Sequence, residues 1–403
     1  MTTKRPNILL LQGPLGPFFA DLSDALKQLG AVTYRVCFNR GDHHFADADY
    51  VVAFDRPQGE WAAWLEAYLQ EHGVDAVCCY GDCRSYHMLA KGVCDRLDIT
   101  FVALEEGYVR PGFVTLEQGG NNANSPFPAK FKAGAITSGT APAPANIANH
   151  FRFQFWFAFL YYVVKDWRLS GYRHYQHHRK GNGLLEMLAW FRGFLRKQLI
   201  TRWKEAKLLD QLVADSDNPI FLVPLQVAAD MQIIRHSDYE NVREFIEQTI
   251  RSFAHHAPKN ARLVIKHHPM DRGFQHYGGF IRKLSRAHGI SARVTYAFDL
   301  DLVRLLGHTT GCVTVNSTVG LQALEQGVPA IMLGKSMARQ AGIAPSADLD
   351  AFWRKPGVVD TAMVAKFRSQ LVQETQVPGS YYRDREIAAK GCAERIIQII
   401  GWS

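Results

Sequence analysis

Apolar runs of four to seven residues recur along both halves of the chain. Each gives way to a stretch with the three-to-four spacing of an amphipathic helix. In the first half the predicted strands are 8–12, 32–38, 50–54, 76–80 and 100–104, with helices at 18–29, 61–72 and 85–97. In the second half the strands are 220–225, 262–266, 293–297, 312–315 and 330–333, with helices at 239–255, 274–288, 301–306 and 318–326. These strands are continuously apolar rather than alternating, the pattern of parallel sheets covered by helices on both faces. The fold class predicted is α/β: two Rossmann-like domains facing each other across a cleft.

The middle of the chain follows neither pattern. Residues 133–149 are rich in Ala, Pro, Ser, Thr and Gly and read as a linker. An aromatic run follows at 151–164, then a basic, His-rich stretch at 168–180. Beyond it Leu184, Leu188, Phe191, Leu195, Leu199 and Trp203 recur at helical spacing, with Arg192, Arg196 and Lys197 between them. That is an amphipathic helix with cations beside its apolar stripe, suited either to a membrane surface or to packing on the domain seam. The expected division is therefore 1–150, a helical basic and aromatic segment at 151–215, 216–385, and a C-terminal helix at 386–403.

Length and charge sharpen this picture. A chain of 403 residues exceeds one core, and its 46 Lys and Arg against 38 Asp and Glu give a net charge of +8. Residues 165–207 hold eleven Lys and Arg against three acids, so this one segment carries the entire excess. A local anionic partner is indicated rather than a generally basic surface, and a nucleic-acid binder is not expected. The seven Cys include no CxxC, as expected of reduced, buried thiols in a cytoplasmic protein. The longest unbroken apolar run, 155–164, has ten residues. A membrane span needs about 20, so none is predicted; the polar first residues give no sign of a signal peptide.

Five strand ends carry candidate chemistry. Lys266-His267-His268-Pro269 follows a strand, where a His can donate to a phosphate and the Pro stiffens its turn. Asn316-Ser317-Thr318 opens a helix, where Ser317 or Thr318 is an ordinary cap or a phosphate site. Glu325, two turns further along the same face, could accept from a ribose hydroxyl. Glu105-Glu106-Gly107, with Arg110 close by, suits a general acid or base at a cleft mouth. Gln226 and Asp230 follow the first strand of the second half, with Asp230 either a helix cap or a nucleophile. Gly13 and Gly16 allow close backbone approach by a ligand, yet match neither GxGxxG nor a P-loop. No HExxH-type spacing occurs among the sixteen His, and neither a metal nor a cofactor is expected.

Together the Glu-Glu-Gly, His-Pro and Ser-Thr motifs resemble those of bacterial sialyltransferases that use CMP-activated sugars in a GT-B fold. With Gln12–Phe19, Phe38–Asp42, Glu105–Arg110, Thr115–Glu117 and Gln226–Asp230, the chain resembles more closely the capsule proteins of the KpsS/LipB type. That family is understood to be retaining β-Kdo transferases, which move Kdo from CMP-Kdo onto a phosphatidylglycerol-type lipid and so start the linker of a group 2 capsule. The resemblance implies a GT-B-like fold, with an acceptor-side first domain and a CMP-sugar-binding second domain. It implies Asp230 as nucleophile beside Gln226, and Glu105 as acid/base with Glu106 as alternative. His268, Ser317 and Thr318 would hold the CMP phosphate, with Lys266 and Pro269 in the same donor motif, and Glu325 the ribose. Arg110 is a candidate partner for the Kdo carboxylate, and Gly13, Gly16, Arg192, Arg196 and Lys197 are candidates for acceptor or membrane contact. The implied setting is peripheral, at the cytoplasmic face of the inner membrane with other capsule assembly proteins. A transferase for another CMP-sugar, or a non-catalytic assembly or export component, are the alternatives.

Overall fold

The computed structural model describes residues 5–136, 139–147, 151–166, 172–175, 192–193, 202–214, 217–228, 231–345 and 348–402. Its strands are, in chain order, β1 (Asn7–Leu10), β2 (Val32–Cys37), β3 (Tyr50–Ala53), β4 (Ala76–Tyr80), β5 (Thr100–Glu106), β6 (Phe113–Gln118), β7 (Ile220–Pro224), β8 (Arg262–Lys266), β9 (Val294–Ala297), β10 (Gly311–Thr314), β11 (Ala330–Met332) and β12 (Gln376–Pro378). Two compact units result. One takes residues 1–130, 136–184 and 369–403, the other 131–135 and 185–368.

The first unit holds a seven-stranded sheet in the order β12-β6-β5-β4-β1-β2-β3. Strands β3, β2, β1, β4 and β5 are parallel; β6 and β12 add antiparallel. Successive residues of one strand feed opposite cores. Ile8 and Leu10 pack with α1 (Phe18–Gln28) and the C-terminal helix Arg385–Ile399, whereas Leu9, Val77, Cys79 and Ala103 pack under α3 (Trp61–Glu71) and α4 (Ser85–Leu97). With both faces covered, every strand position pays to be apolar, which explains the continuous runs in the sequence. The C-terminal helix presents Ala388, Ala389, Cys392 and Ala393, small enough to bring it close to the sheet.

The second unit repeats the plan with five parallel strands in the order β11-β10-β7-β8-β9. Phe221, Val223, Leu263 and Ile265 point into one core, and Leu222, Val264 and Cys312 into the other. The first is closed by Trp353, whose ring lies 5.1 Å from Phe221 and 5.3 Å from Phe253 and whose Nε1 donates to Ser252 Oγ at 2.7 Å. Two Rossmann-like units in one α/β chain are the GT-B-like composition predicted.

The domain limits need correction. Residues 369–403 return to the first unit, so the second unit ends near 368 rather than 385, and the C-terminal helix is no separate segment. The aromatic run forms α5 (Phe151–Asp166), also in the first unit. It lies against α2 (Arg40–His44), with Tyr161 so close over Gly41 that a Cβ there would come within 2.8 Å of the ring. Its other side leaves Phe153, Trp156 and Val163 exposed, Trp156 by 59%. Of the stretch 184–203, only 192–193 and the start of the helix Arg202–Ala214 are among the described residues. Arg196, Lys197 and Asp230 lie outside them.

Candidate functional site

In an open parallel sheet, ligands bind beyond the carboxyl ends of the strands where the chain switches direction across the sheet. In the first unit that point lies between β1 and β4, because β1 pairs with β2 on one side and β4 on the other. Four neighbouring strands end there in polar residues. Gln12 follows β1, Asn39 and Asp42 follow β2, Arg84 follows β4, and Glu105 and Glu106 close β5.

Glu105 is partly buried, and burial pushes its carboxyl up to about 7, opposed by the Glu106 backbone and by the Arg84 and Arg110 guanidiniums. The Glu106 N–H donates to Glu105 Oε1 at 3.0 Å, and the Tyr381 hydroxyl holds the Glu105 carbonyl at 2.8 Å. Glu106 instead accepts from the hydroxyls of Tyr80, at 3.4 Å, and Tyr382. A carboxyl raised in this way has the proton affinity of an acid/base at neutral pH. Exposed Arg110 donates through Nε to the Gly107 carbonyl at 2.8 Å, which orients its guanidinium.

The glycines after β1 serve packing. A Cβ on Gly13 would come within 2.8 Å of the Phe19 ring, and one on Gly16, with φ at +113°, within 2.9 Å of Phe157. The close approach predicted for a ligand is taken there by the protein's own aromatic side chains.

In the second unit the switch lies between β7 and β10, and one reciprocal pair spans it. Gln226 Nε2 donates to Asn316 Oδ1 at 2.8 Å, and the Asn316 N–H donates to Gln226 Oε1 at 3.2 Å. The loop that follows Gln226 is tied down by Asp271, which accepts from the Ala228 N–H at 2.6 Å. After β8 the two histidines diverge. His267 is buried, its Nδ1 2.8 Å from the Tyr296 hydroxyl, and burial lowers it to about 4, so it is neutral. His268 caps the turn Pro269–Asp271, its Nδ1 accepting from the Met270 N–H at 3.2 Å, which places its ring proton on Nε2. Lys266 is pulled down by burial and sits in the field of Asp299, Arg272 and Glu205.

Ser317 precedes the next helix. It is the cap, its Oγ accepting from the Val319 N–H at 3.2 Å, and Thr318 is the first residue of the helix Thr318–Glu325. Glu325 ends that helix, about 10 Å further along its axis, and pairs with Arg368 Nε at 3.1 Å. Exposed Arg192 donates to the Gly273 carbonyl. Among the described residues no three His, Cys, Asp or Glu side chains converge as metal ligands would, and no helix is long and apolar enough to cross a membrane. Arg84 escaped the sequence reading. Its signal was its place, just past the apolar strand that ends at Tyr80.

A family model described as "Capsule polysaccharide biosynthesis protein" matches residues 75–382. The chain is 36% identical over 381 residues to the capsule polysaccharide export protein KpsS of Escherichia coli, spanning 93% of this chain and 96% of that one. It is 35% identical over 386 residues to the capsule polysaccharide modification protein LipB of Neisseria meningitidis serogroup A, spanning 93% and 91%. Among solved structures, the β-Kdo 2,7 transferase KpsC of Thermosulfurimonas dismutans superposes with a TM-score of 0.42 at 13% identity, covering 95% of this chain and 89% of that one.

Proposed function

The chain belongs to the capsule polysaccharide biosynthesis protein family, and from that membership we propose that it is a retaining β-Kdo glycosyltransferase that moves Kdo from CMP-Kdo to a phosphatidylglycerol-type lipid. The observation that carries the reading is Glu105: a carboxyl pushed up to about 7, in the field of Arg84 and Arg110, at the end of β5 next to the switch point of the first sheet. Such a group can take a proton from an acceptor hydroxyl at neutral pH.

The reaction runs in two displacements. Asp230 attacks the anomeric carbon, and the bond to the CMP phosphate breaks with its electron pair leaving on CMP. The His268 Nε2–H and the helix N-terminus at Ser317 and Thr318 meet the charge on that phosphate, so neither a metal nor a cofactor is called for. The acceptor hydroxyl then loses its proton to Glu105, its oxygen bonds to the anomeric carbon, and the Asp230 carboxylate is released. Two inversions give net retention. Arg110 pairs with the Kdo carboxylate, and the basic, aromatic middle of the chain brings the protein to an anionic cytoplasmic leaflet.

The purified protein, incubated with CMP-Kdo and a fluorescent phosphatidylglycerol analogue, is expected to add one Kdo mass to the lipid; Asp230→Ala is expected to abolish the gain. Consumption of a different CMP-sugar would reject Kdo as the donor. Kdo transfer to another acceptor would reject the lipid. The name of the KpsS relative favours a second reading, a non-catalytic export component. Absence of turnover with every CMP-sugar would bring that reading forward.

A further inference from the structure

The first unit contains a carboxylate that this mechanism does not use. Asp42 is 3% exposed and accepts five hydrogen-bond contacts from four donors. Gln12 Nε2 reaches its two oxygens at 3.1 and 3.0 Å, Asn39 Nδ2 lies at 2.9 Å, the Phe38 N–H at 3.1 Å and the Tyr161 hydroxyl at 2.9 Å from its carboxylate. Two of these contacts belong to one amide group, and that amide has a second end. Burial pushes the Asp42 carboxyl up, opposed by the Arg35 guanidinium and by the Gln12, Tyr161 and Phe38 donors. With donors on both of its oxygens the carboxyl acts as an acceptor, so Gln12 presents its NH2 to Asp42 and turns its carbonyl oxygen the other way. That oxygen receives Arg84 Nη1 at 2.8 Å. Arg84 also lies over the Tyr80 ring, 5.4 Å from its centroid. Its Nε and Glu105 Oε2 flank one point above Gly81, each 3.6 Å from where a Cβ on that glycine would stand.

We propose that Asp42 is a positioning residue: by fixing the orientation of the Gln12 amide it holds Arg84 beside Glu105. The proposal rests on the reading of Glu105 as the base. Its physical content is an orientation. With Asn at position 42, the obligatory acceptor is gone; the Tyr161 and Tyr175 hydroxyls, 3.2 and 3.0 Å from Gln12 Nε2, can donate as well as accept, so the Gln12 amide can turn over. An NH2 group facing the guanidinium repels it, whereas a carbonyl oxygen anchors it. Glu105 would then lose one of its two cationic neighbours. The groups that remain around it are the Glu106 N–H and carboxylate, Arg110, and the hydroxyls of Tyr80, Tyr108, Tyr381 and Tyr382. The sign follows: removing a positive neighbour makes the carboxyl hold its proton to higher pH.

The test compares pH profiles of kcat/KM for the full chain, Asp42→Asn, Arg84→Met and the double variant. Asp42→Asn is expected to move the acidic limb upward by about one pH unit, the scale of one lost opposite charge. Arg84→Met should move it equally, and the double variant no further, because both changes break one relay. Should Asp42→Asn not fold, Gln12→Leu cuts the same relay at its middle with the same expectation. Rates lowered at every pH with the limb unmoved, or two shifts that add, would overturn the relay. Glu105→Gln separates this from failure of the underlying reading: if it still transfers sugar, the base assignment falls and the relay with it. If it is inactive while no variant shifts the limb, the relay alone falls.

Discussion

Glu105 shares its elevated proton affinity with a second carboxyl in the same unit, Glu117 on β6. Burial pushes Glu117 up to about 7, against the Ser125 and Tyr108 hydroxyls that donate to it. Nothing in the proposed chemistry needs Glu117, so its titration should be visible in stability alone. A carboxyl raised from 4.5 to about 7 binds its proton more tightly folded than unfolded, so its contribution is complete below pH 4.5 and is lost as the pH rises through 7. Glu117→Gln should therefore flatten the fall in melting temperature between pH 5 and 7, removing a loss of about 1–3 kcal/mol. An unchanged slope in a series of thermal melts would rule this out. In the second unit the residue-scale expectation concerns volume. Trp353 is 1% exposed and touches Phe221 and Phe253, so Trp353→Ala should cost about 3–5 kcal/mol in chemical denaturation.

At the scale of elements, the least conspicuous strand carries the most consequence. β12 has three residues, with Gln376 opposite Thr115 and Val377 opposite Val114. Gln376 is buried, its amide donating to Thr115 Oγ1 at 2.9 Å and its carbonyl accepting from the Tyr108 N–H at 2.9 Å. Behind it Val377, Tyr381, Tyr382 and Ile396 complete one core of the first sheet. A chain ending at Arg368 should accordingly lose cooperative folding of the first unit while the core around Trp353 survives, as two thermal transitions reduced to one would show. The same elements explain what the sequence could and could not reveal. Ala76–Tyr80, Arg262–Lys266 and Ser85–Leu97 agree to the residue because long apolar runs or clear helical spacing define them. β6 and β12 were missed, one half-polar and one too short for any period to register, and both are specified by partners distant in sequence. The strand-end motifs were legible because composition changes abruptly where a parallel strand stops. The Asp42–Gln12–Arg84 connection was not, since its three members follow three different strands and only the strand order makes them neighbours.

For the molecule as a whole, the charge and the aromatic surface lie close together in the chain. Residues 165–207 carry the net charge, and α5, which leads into them, exposes Phe153, Trp156 and Val163. The peripheral setting we propose predicts binding to phosphatidylglycerol vesicles that weakens with salt. It should fall about a hundredfold or more for the pair Phe153→Ser and Trp156→Ser, since each buried aromatic contributes about 1.5–3 kcal/mol. Vesicle sedimentation unaffected by both salt and substitution would remove the membrane from the account.

The discontinuity of the first unit also fixes an order in time. On the ribosome, residues 185–368 hold all the strands of the second sheet, and they emerge before the strand and helix that complete the first. At roughly 5–20 residues per second, the N-terminal sheet waits on the order of ten to forty seconds with its β6 edge unpaired and the core beneath α1 uncovered. The part of the protein synthesised first is thus the last to be finished, and for that interval it presents the kind of open edge and apolar surface that chaperones recognise.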